Sequence, residues 1–324
     1  MKVKILGARG SLPAPMSPSQ VEARSASILN QFIEQGSVSL DKIPEFLKTL
    51  KPHQFGGYGG NTPCVEINAG QTQVIIDGGS GIRTLGYELL SGPCGKGEGE
   101  VHIFFTHFHW DHLIGLCFFV PLFIPGNKIH VYSVQPELPH VFKTLFKKPF
   151  FPVELEHLGA KIIYHQLDPR KPFTHKDLVL TPYQLDHPDP CWGYKVRAGE
   201  KVYAHCVDTE ATRMTRDELG ADLPLYQGID LMVFDAQYTV METIEKINWG
   251  HSAGLVGLDI AMREGIKQVI FMHHDPASND DKVFAAETEV QKYHQSQIKS
   301  SIRMGQVVNT VDWKFAVEGM EIQL

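Results

Sequence analysis

Apolar residues in this chain gather in short β-branched and aromatic runs separated by glycine-rich or polar breaks. Val3-Lys4-Ile5-Leu6, Val74-Ile75-Ile76, Val101-His102-Ile103-Phe104-Phe105, Leu231-Met232-Val233-Phe234 and Gln268-Val269-Ile270-Phe271-Met272 are too short for helices and carry the residues that favour buried strands. Helical spacing is confined to fewer places. Between about residues 16 and 54, Ile28-Leu29, Phe32-Ile33, Ile43, Phe46-Leu47 and Leu50 predict a short helical cap inserted after the first strand. Leu113-Ile114-Gly115-Leu116 predicts the start of a helix with Asp111 at its N-terminal end, where a carboxylate is favoured. A second apparent insertion, about 128–171, has seven Lys or Arg against four Asp or Glu, interleaved with Phe142, Phe146, Phe150 and Phe151. Such a stretch can bind nucleic acid, but a dimer contact or pocket lid is the stronger expectation.

Several runs end in residues that carry chemistry. Val74–Ile76 runs into Asp77-Gly78-Gly79, Leu231–Phe234 into Asp235, and Gln268–Met272 into His273-His274. The densest case follows Val101–Phe105, where Thr106-His107-Phe108-His109-Trp110-Asp111-His112 packs three imidazoles and a carboxylate into six consecutive positions. In an extended segment residues i and i+2 point the same way, so His107 and His109 can grip one cation. Asp111 and His112 lie beyond that pair and suit a second cation in the same pocket, as in two-metal sites that clamp both oxygens of a displacement.

Composition adds limits. With 324 residues and 43% hydrophobic positions, the chain can bury a sizeable core. It contains no apolar run of about eighteen residues and no signal-like N-terminal segment, so a cytoplasmic protein without a membrane partner is expected. Cys64, Cys94, Cys117, Cys191 and Cys206 are odd in number and lack CxxC spacing, which predicts reduced thiols, with Cys191 and Cys206 near ligands only in sequence. A net charge of −7 excludes the broad basic footprint of a protein that grips long nucleic acid over its whole surface. Bound cations would supply local positive charge that this count omits.

The His-x-His-x-Asp-His run resembles the signature of the metallo-β-lactamase superfamily, and the resemblance extends over nearly the whole chain. It implies one α+β domain over 1–324, a four-layer αβ/βα sandwich. It also implies three further ligands. His187 in Leu185-Asp186-His187-Pro188 would complete the first metal site, Asp208 in Val207-Asp208-Thr209-Glu210 would bridge both ions, and His273 would complete the second. The neighbouring His274 stays open as the alternative to His273. By the same resemblance Asp77 supports the His-rich loop from behind.

Asp235-Ala236-Gln237-Tyr238 and Trp249-Gly250-His251-Ser252 resemble the acidic and Gly-His-Ser motifs of the ribonuclease Z-like phosphodiesterases. This implies that His251 contacts the scissile phosphate and protonates the leaving oxygen, with Asp235 orienting it. True β-lactamases lack this pair. The reading is therefore a hydrolase with two divalent ions, zinc by preference and manganese or iron with the same donors. It would use a metal-bridging hydroxide, with Asp111 accepting its hydrogen bond. The expected substrate is a cyclic nucleotide, an RNA 3′ end or another small phosphodiester, and a homodimer is the expected assembly. A thioester or lactone hydrolase is the alternative. His274-Asp275-Pro276 and the two apparent insertions depart from the best-known ribonuclease Z pattern and weigh against tRNA processing in particular.

Overall fold

The computed structural model describes residues 1–36, 39–305 and 309–324. Among these residues fourteen strands occur: β1 (Lys2–Gly7), β2 (Cys64–Ala69), β3 (Thr72–Ile76), β4 (Glu100–Phe104), β5 (Lys128–Ser133), β6 (Lys161–Gln166), β7 (Phe173–His175), β8 (Leu178–Gln184), β9 (Trp192–Ala198), β10 (Lys201–Cys206), β11 (Leu231–Asp235), β12 (Gln268–Met272), β13 (Asp312–Phe315) and β14 (Glu321–Gln323). They form two seven-stranded sheets, ordered β14-β1-β2-β3-β4-β5-β6 and β13-β12-β11-β10-β9-β8-β7. Within each sheet the strands nearest the functional residues are parallel: β3 with β4, β4 with β5, and β10 through β13 in succession.

The near-continuous apolar runs follow from this arrangement, because a strand covered on both faces needs no polar side. Alternate residues enter different layers. Leu231, Val233, Ile270 and Met272 join Val74, Ile76 and Phe104 in the core between the sheets. Met232, Phe234, Val269 and Phe271 face outward, where they pack with residues of the helix Gly254–Glu264. On the other side Ile75, Ile103, Ile129 and Val131 pack with the helices Ile82–Leu89 and Leu138–Leu145. The α+β sandwich is therefore helix, sheet, sheet, helix.

Of the expected cap at 16–54, residues 37–38 lie outside the described residues and the rest carries helices, with Pro18–Glu34 opened by a capping box between Ser17 and Gln20, followed by Ile43–Thr49 and Pro52–Phe55. Two expectations need correction. The stretch 128–171 supplies β5 and β6, which extend the first sheet, so it is not an added lid; Phe142 and Phe146 are buried beneath it as core. Leu113–Leu116 is no α-helix. The chain passes instead through 3₁₀ turns at Trp110–His112, Ile114–Phe118 and Val120–Phe123. The Gly115 amide donates to the Gly78 carbonyl at 3.0 Å, which takes it out of any helical ladder, and Pro121 has no amide to offer. No helix among the described residues is long and apolar enough to cross a membrane.

Candidate metal centre

The C-terminal ends of β3, β4, β10, β11 and β12 meet at one rim of the sandwich, and each leads within three residues to a polar residue aimed there. Asp77 follows β3, His107 to His112 follow β4, Asp208 follows β10, Asp235 ends β11 and His273 follows β12. Asp77, Asp208 and His273 all adopt left-handed backbone, with φ of 64°, 62° and 70°. Such conformations cost of order 1–3 kcal/mol each in a non-glycine residue and persist only where surrounding structure enforces them. Here they turn the chain sharply at the strand end and leave the side chain on the rim.

The donors converge in overlapping groups. His107, His109 and His187 offer ligand atoms within 4.8 Å of one another, and so do Asp111, His112 and His273; a third such group joins His107 and His112 through Asp208. The loop between β8 and β9 delivers His187, whereas the β4 loop delivers four donors. His273, not His274, enters the cluster: its Nε2 lies 3.1 Å from Asp111 Oδ2. His274 turns into the protein, with Nε2 3.0 Å from the Ala316 carbonyl and its ring stacked on Phe315.

Buried polar atoms without hydrogen-bond partners test whether these residues suit a cation. His107 Nε2, His112 Nε2, His187 Nε2 and Asp208 Oδ2 are all buried and unpartnered, although His112 Nε2 and Asp208 Oδ2 stand only 2.8 Å apart. Buried polar atoms are normally satisfied, so four orphans within these overlapping groups suit bound cations. The electrostatics agree. Burial lowers the proton affinity of His107 well below its ordinary value, with nearby His112 adding to the effect. Burial opposes charge on His112 and His273 too, yet Asp111, Asp208 and Asp77 hold His112 well above its usual value. Asp208, Asp111 and Asp235 push His273 up to about 9. Burial likewise opposes charge on Asp208, but His273 and His112 keep it well below the carboxylate range. Without cations, the buried carboxylates can be balanced only by protons on these imidazoles.

A second layer holds the donors. Asp77, fully buried, accepts from the Thr106 amide at 2.9 Å, the Thr106 hydroxyl at 2.9 Å and His112 Nδ1 at 2.8 Å. It thereby pins the start of the His-rich loop and the tautomer of His112. Asp235 accepts from the amides of Asp208, Gln237 and Ser252, and from His251 Nδ1 at 3.0 Å. His251 stacks on His273 with ring centroids 4.9 Å apart. Gly250, with φ of 87°, passes so close to His187 that a Cβ there would collide with the imidazole.

Other neighbours carry no sequence signal. The Ser11 amide donates to Asp111 Oδ2 at 2.8 Å, Asp189 Oδ2 lies 2.9 Å from His109 Nε2, and Glu210 accepts from the Gly250 amide at 2.9 Å. Cys191, expected to be near the ligands only in sequence, is packed behind His107 with Sγ 3.7 Å from Nδ1. The Trp192 amide donates to the Thr106 carbonyl and so ties the start of β9 to the His-rich loop. Burial pushes the Cys191 thiol well above its usual value, which makes it a neutral packing group. All five cysteines are free and buried.

Two facing mixed sheets with helices outside, and a His- and Asp-lined rim at their strand ends, define a metallohydrolase sandwich. The chain belongs to the beta-lactamase superfamily: residues 72–274 match the family described as "Beta-lactamase superfamily domain". Ribonuclease BN of Erwinia tasmaniensis is 23% identical over 293 residues, covering 68% of this chain and 90% of that protein. Ribonuclease Z of Azobacteroides pseudotrichonymphae is 25% identical over 276 residues, covering 69% and 90%. The crystal structure of the metallo-beta-lactamase fold protein YhfI from Bacillus subtilis shares the fold, with a TM-score of 0.61 and 14% identity over 99% of this chain and 98% of that one. Divalent metal is the cofactor this family implies, and the donor set fits it.

Proposed function

We propose that this protein is a two-metal phosphodiesterase. The observation that carries the reading is His251, held through Nδ1 by Asp235 at the edge of a His/Asp cluster of metal-binding character. In this reading His107, His109 and His187 hold one cation, Asp111, His112 and His273 hold the other, and Asp208 serves both. Zinc suits these imidazole and carboxylate donors. When bound, the two ions acidify a water and withdraw charge from the phosphoryl group. The protein's own part is orientation and proton delivery. Asp235 holds the Nδ1–H of His251 and favours its doubly protonated form, so that the imidazolium can give its Nε2 proton to the departing oxygen and return to the neutral ring, a role that typically contributes about 10² to 10⁴ in rate. A thioester or lactone hydrolase would have little use for an acid positioned in this way.

Exposed aromatics adjoin the donors in sequence. Trp110 lies within the His-rich run and Trp249 immediately precedes Gly250-His251; they are 61% and 63% exposed. Open indole faces stack on nucleobases, which favours a nucleotide-containing diester over a simple alkyl one. The ribonuclease Z and BN relatives support the same class. The test is turnover of bis(p-nitrophenyl) phosphate, a thioester, a lactone and a β-lactam by metal-loaded protein, with and without chelator. Chelator-sensitive cleavage of the diester alone supports the proposal. Thioester or lactone turnover without diester cleavage overturns it.

A further inference from the structure

A second cluster of histidines lies away from the rim, at the N-terminal ends of β4 and β5. Glu100 and His102 alternate on one face of β4, and the parallel register sets them opposite Lys128 and His130 on β5. His165 of β6 and His175 of β7 complete the group from the next strand and from the opposing sheet. The His102 ring centroid lies 4.6 Å from that of His130 and 3.9 Å from that of His175, while His130 Nδ1 is 2.9 Å from His165 Nε2. Four imidazoles gathered here take no part in the chemistry proposed for the rim.

We propose that Glu100, His102 and His130 form a separate binding site for one divalent transition-metal ion of the kind imidazole favours, such as zinc, nickel or copper. One ligand atom from each residue lies within 4.8 Å of the others. Donors around a single zinc ion, each about 2.0–2.2 Å from it, stand roughly 3.3 Å apart, so binding requires the three side chains to draw together, with the exposed Glu100 turning from its ion pair with Lys128. His130 Nε2 is buried without a partner, while its Nδ1 is engaged with His165. A hydrogen bond on the far nitrogen is how proteins commonly fix a ligating histidine.

The group is also in the right protonation state. Burial, with His175 and His130 nearby, pushes His102 down to about 3, and burial lowers His130 as well. Both are neutral near pH 7 and have lone pairs to give. Glu100 is held ionised chiefly by its hydrogen bond with Lys128, and Oε1 makes that bond at 2.8 Å.

Zinc titrated calorimetrically into protein whose rim is already loaded should show one further equivalent per chain. Glu100→Gln, at an exposed position, and His130→Gln should each weaken that equivalent at least tenfold, with rim metal content and diester turnover unchanged. Because Glu100 is exposed, its variant keeps the test valid if His130→Gln folds poorly. No further equivalent in the unaltered protein, or one that persists undiminished in Glu100→Gln, would overturn the assignment.

Discussion

Replacing Asp77 by asparagine separates orientation of a donor from its presence. The wild-type carboxylate accepts on both oxygens: Oδ1 from the Thr106 amide at 2.9 Å, and Oδ2 from the Thr106 hydroxyl at 2.9 Å and His112 Nδ1 at 2.8 Å. An amide of the same shape has one acceptor oxygen and one NH₂ donor. If the NH₂ faces His112, the imidazole must move its proton from Nδ1 to Nε2, which removes the lone pair aimed at Asp208 and the proposed cation. If the amide flips, NH₂ meets the Thr106 amide and leaves a buried donor unsatisfied, at about 1–3 kcal/mol. The first arrangement should cost the 10- to 100-fold in metal affinity typical of outer-layer partners, or about 1.4–2.7 kcal/mol. Competition against a chromophoric chelator measures the affinity, and urea denaturation of chelated protein measures the fold. An Asp77→Asn variant with wild-type metal affinity and wild-type stability would refute the orienting role.

Four further outcomes follow from the same geometry. His251→Ala should retain its rim metals and lose about 10²- to 10⁴-fold in kcat, less with a p-nitrophenyl leaving group, which needs little protonation; metal analysis and turnover of two diesters check this. Gly250→Ala should cost about 1–2 kcal/mol for its left-handed backbone and displace His187, seen as loss of one bound metal per chain. Trp249→Ala should raise KM for a nucleotide diester about tenfold, the effect of roughly 1.4 kcal/mol of base stacking, with little change in kcat. Acid should destabilise the chelated protein through His102. Its folded value of about 3 lies below the unfolded value near 6.5, so the unfolded chain binds the proton first. Stability is therefore full above pH 6.5 and falls as pH drops toward 3; urea midpoints across that range should slope less in His102→Gln.

What was readable beforehand divides along the range of the interactions. Strands buried on both faces announce themselves by local apolar runs, and the residues that end them stand in the sequence beside those runs. His107 to His112 stand together because one short loop carries all four donors, His107 and His109 before the 3₁₀ turn and Asp111 and His112 within it. The structure brings His187, Asp208 and His273 to the same rim, where resemblance had set them, and brings Asp235 against His251. Contacts that depend on tertiary closure were not readable. Ser11 reaches Asp111 across a hundred residues, and Cys191 reaches His107 only because β9 starts beside the His-rich loop. Glu210 anchors Gly250 from another loop. The two misread stretches failed for related reasons. The basic and aromatic composition of 128–171 masked β5 and β6, whose apolar residues are interrupted by Lys128, His130, Lys161 and His165. Leu113–Leu116 has helical composition, but the Gly115 amide is claimed by the Gly78 carbonyl, while those of Leu113 and Leu116 close 3₁₀ turns.

In the proposed function the rim holds two cations and both serve diester cleavage. The most direct test is turnover of bis(p-nitrophenyl) phosphate by chelator-treated protein as zinc is added back in measured equivalents. Activity should be absent without metal and climb to a plateau as the second equivalent binds, with Asp208→Ala failing to reach it at any zinc level. Full activity in metal-free protein, or a plateau reached with a single bound ion, would contradict the account.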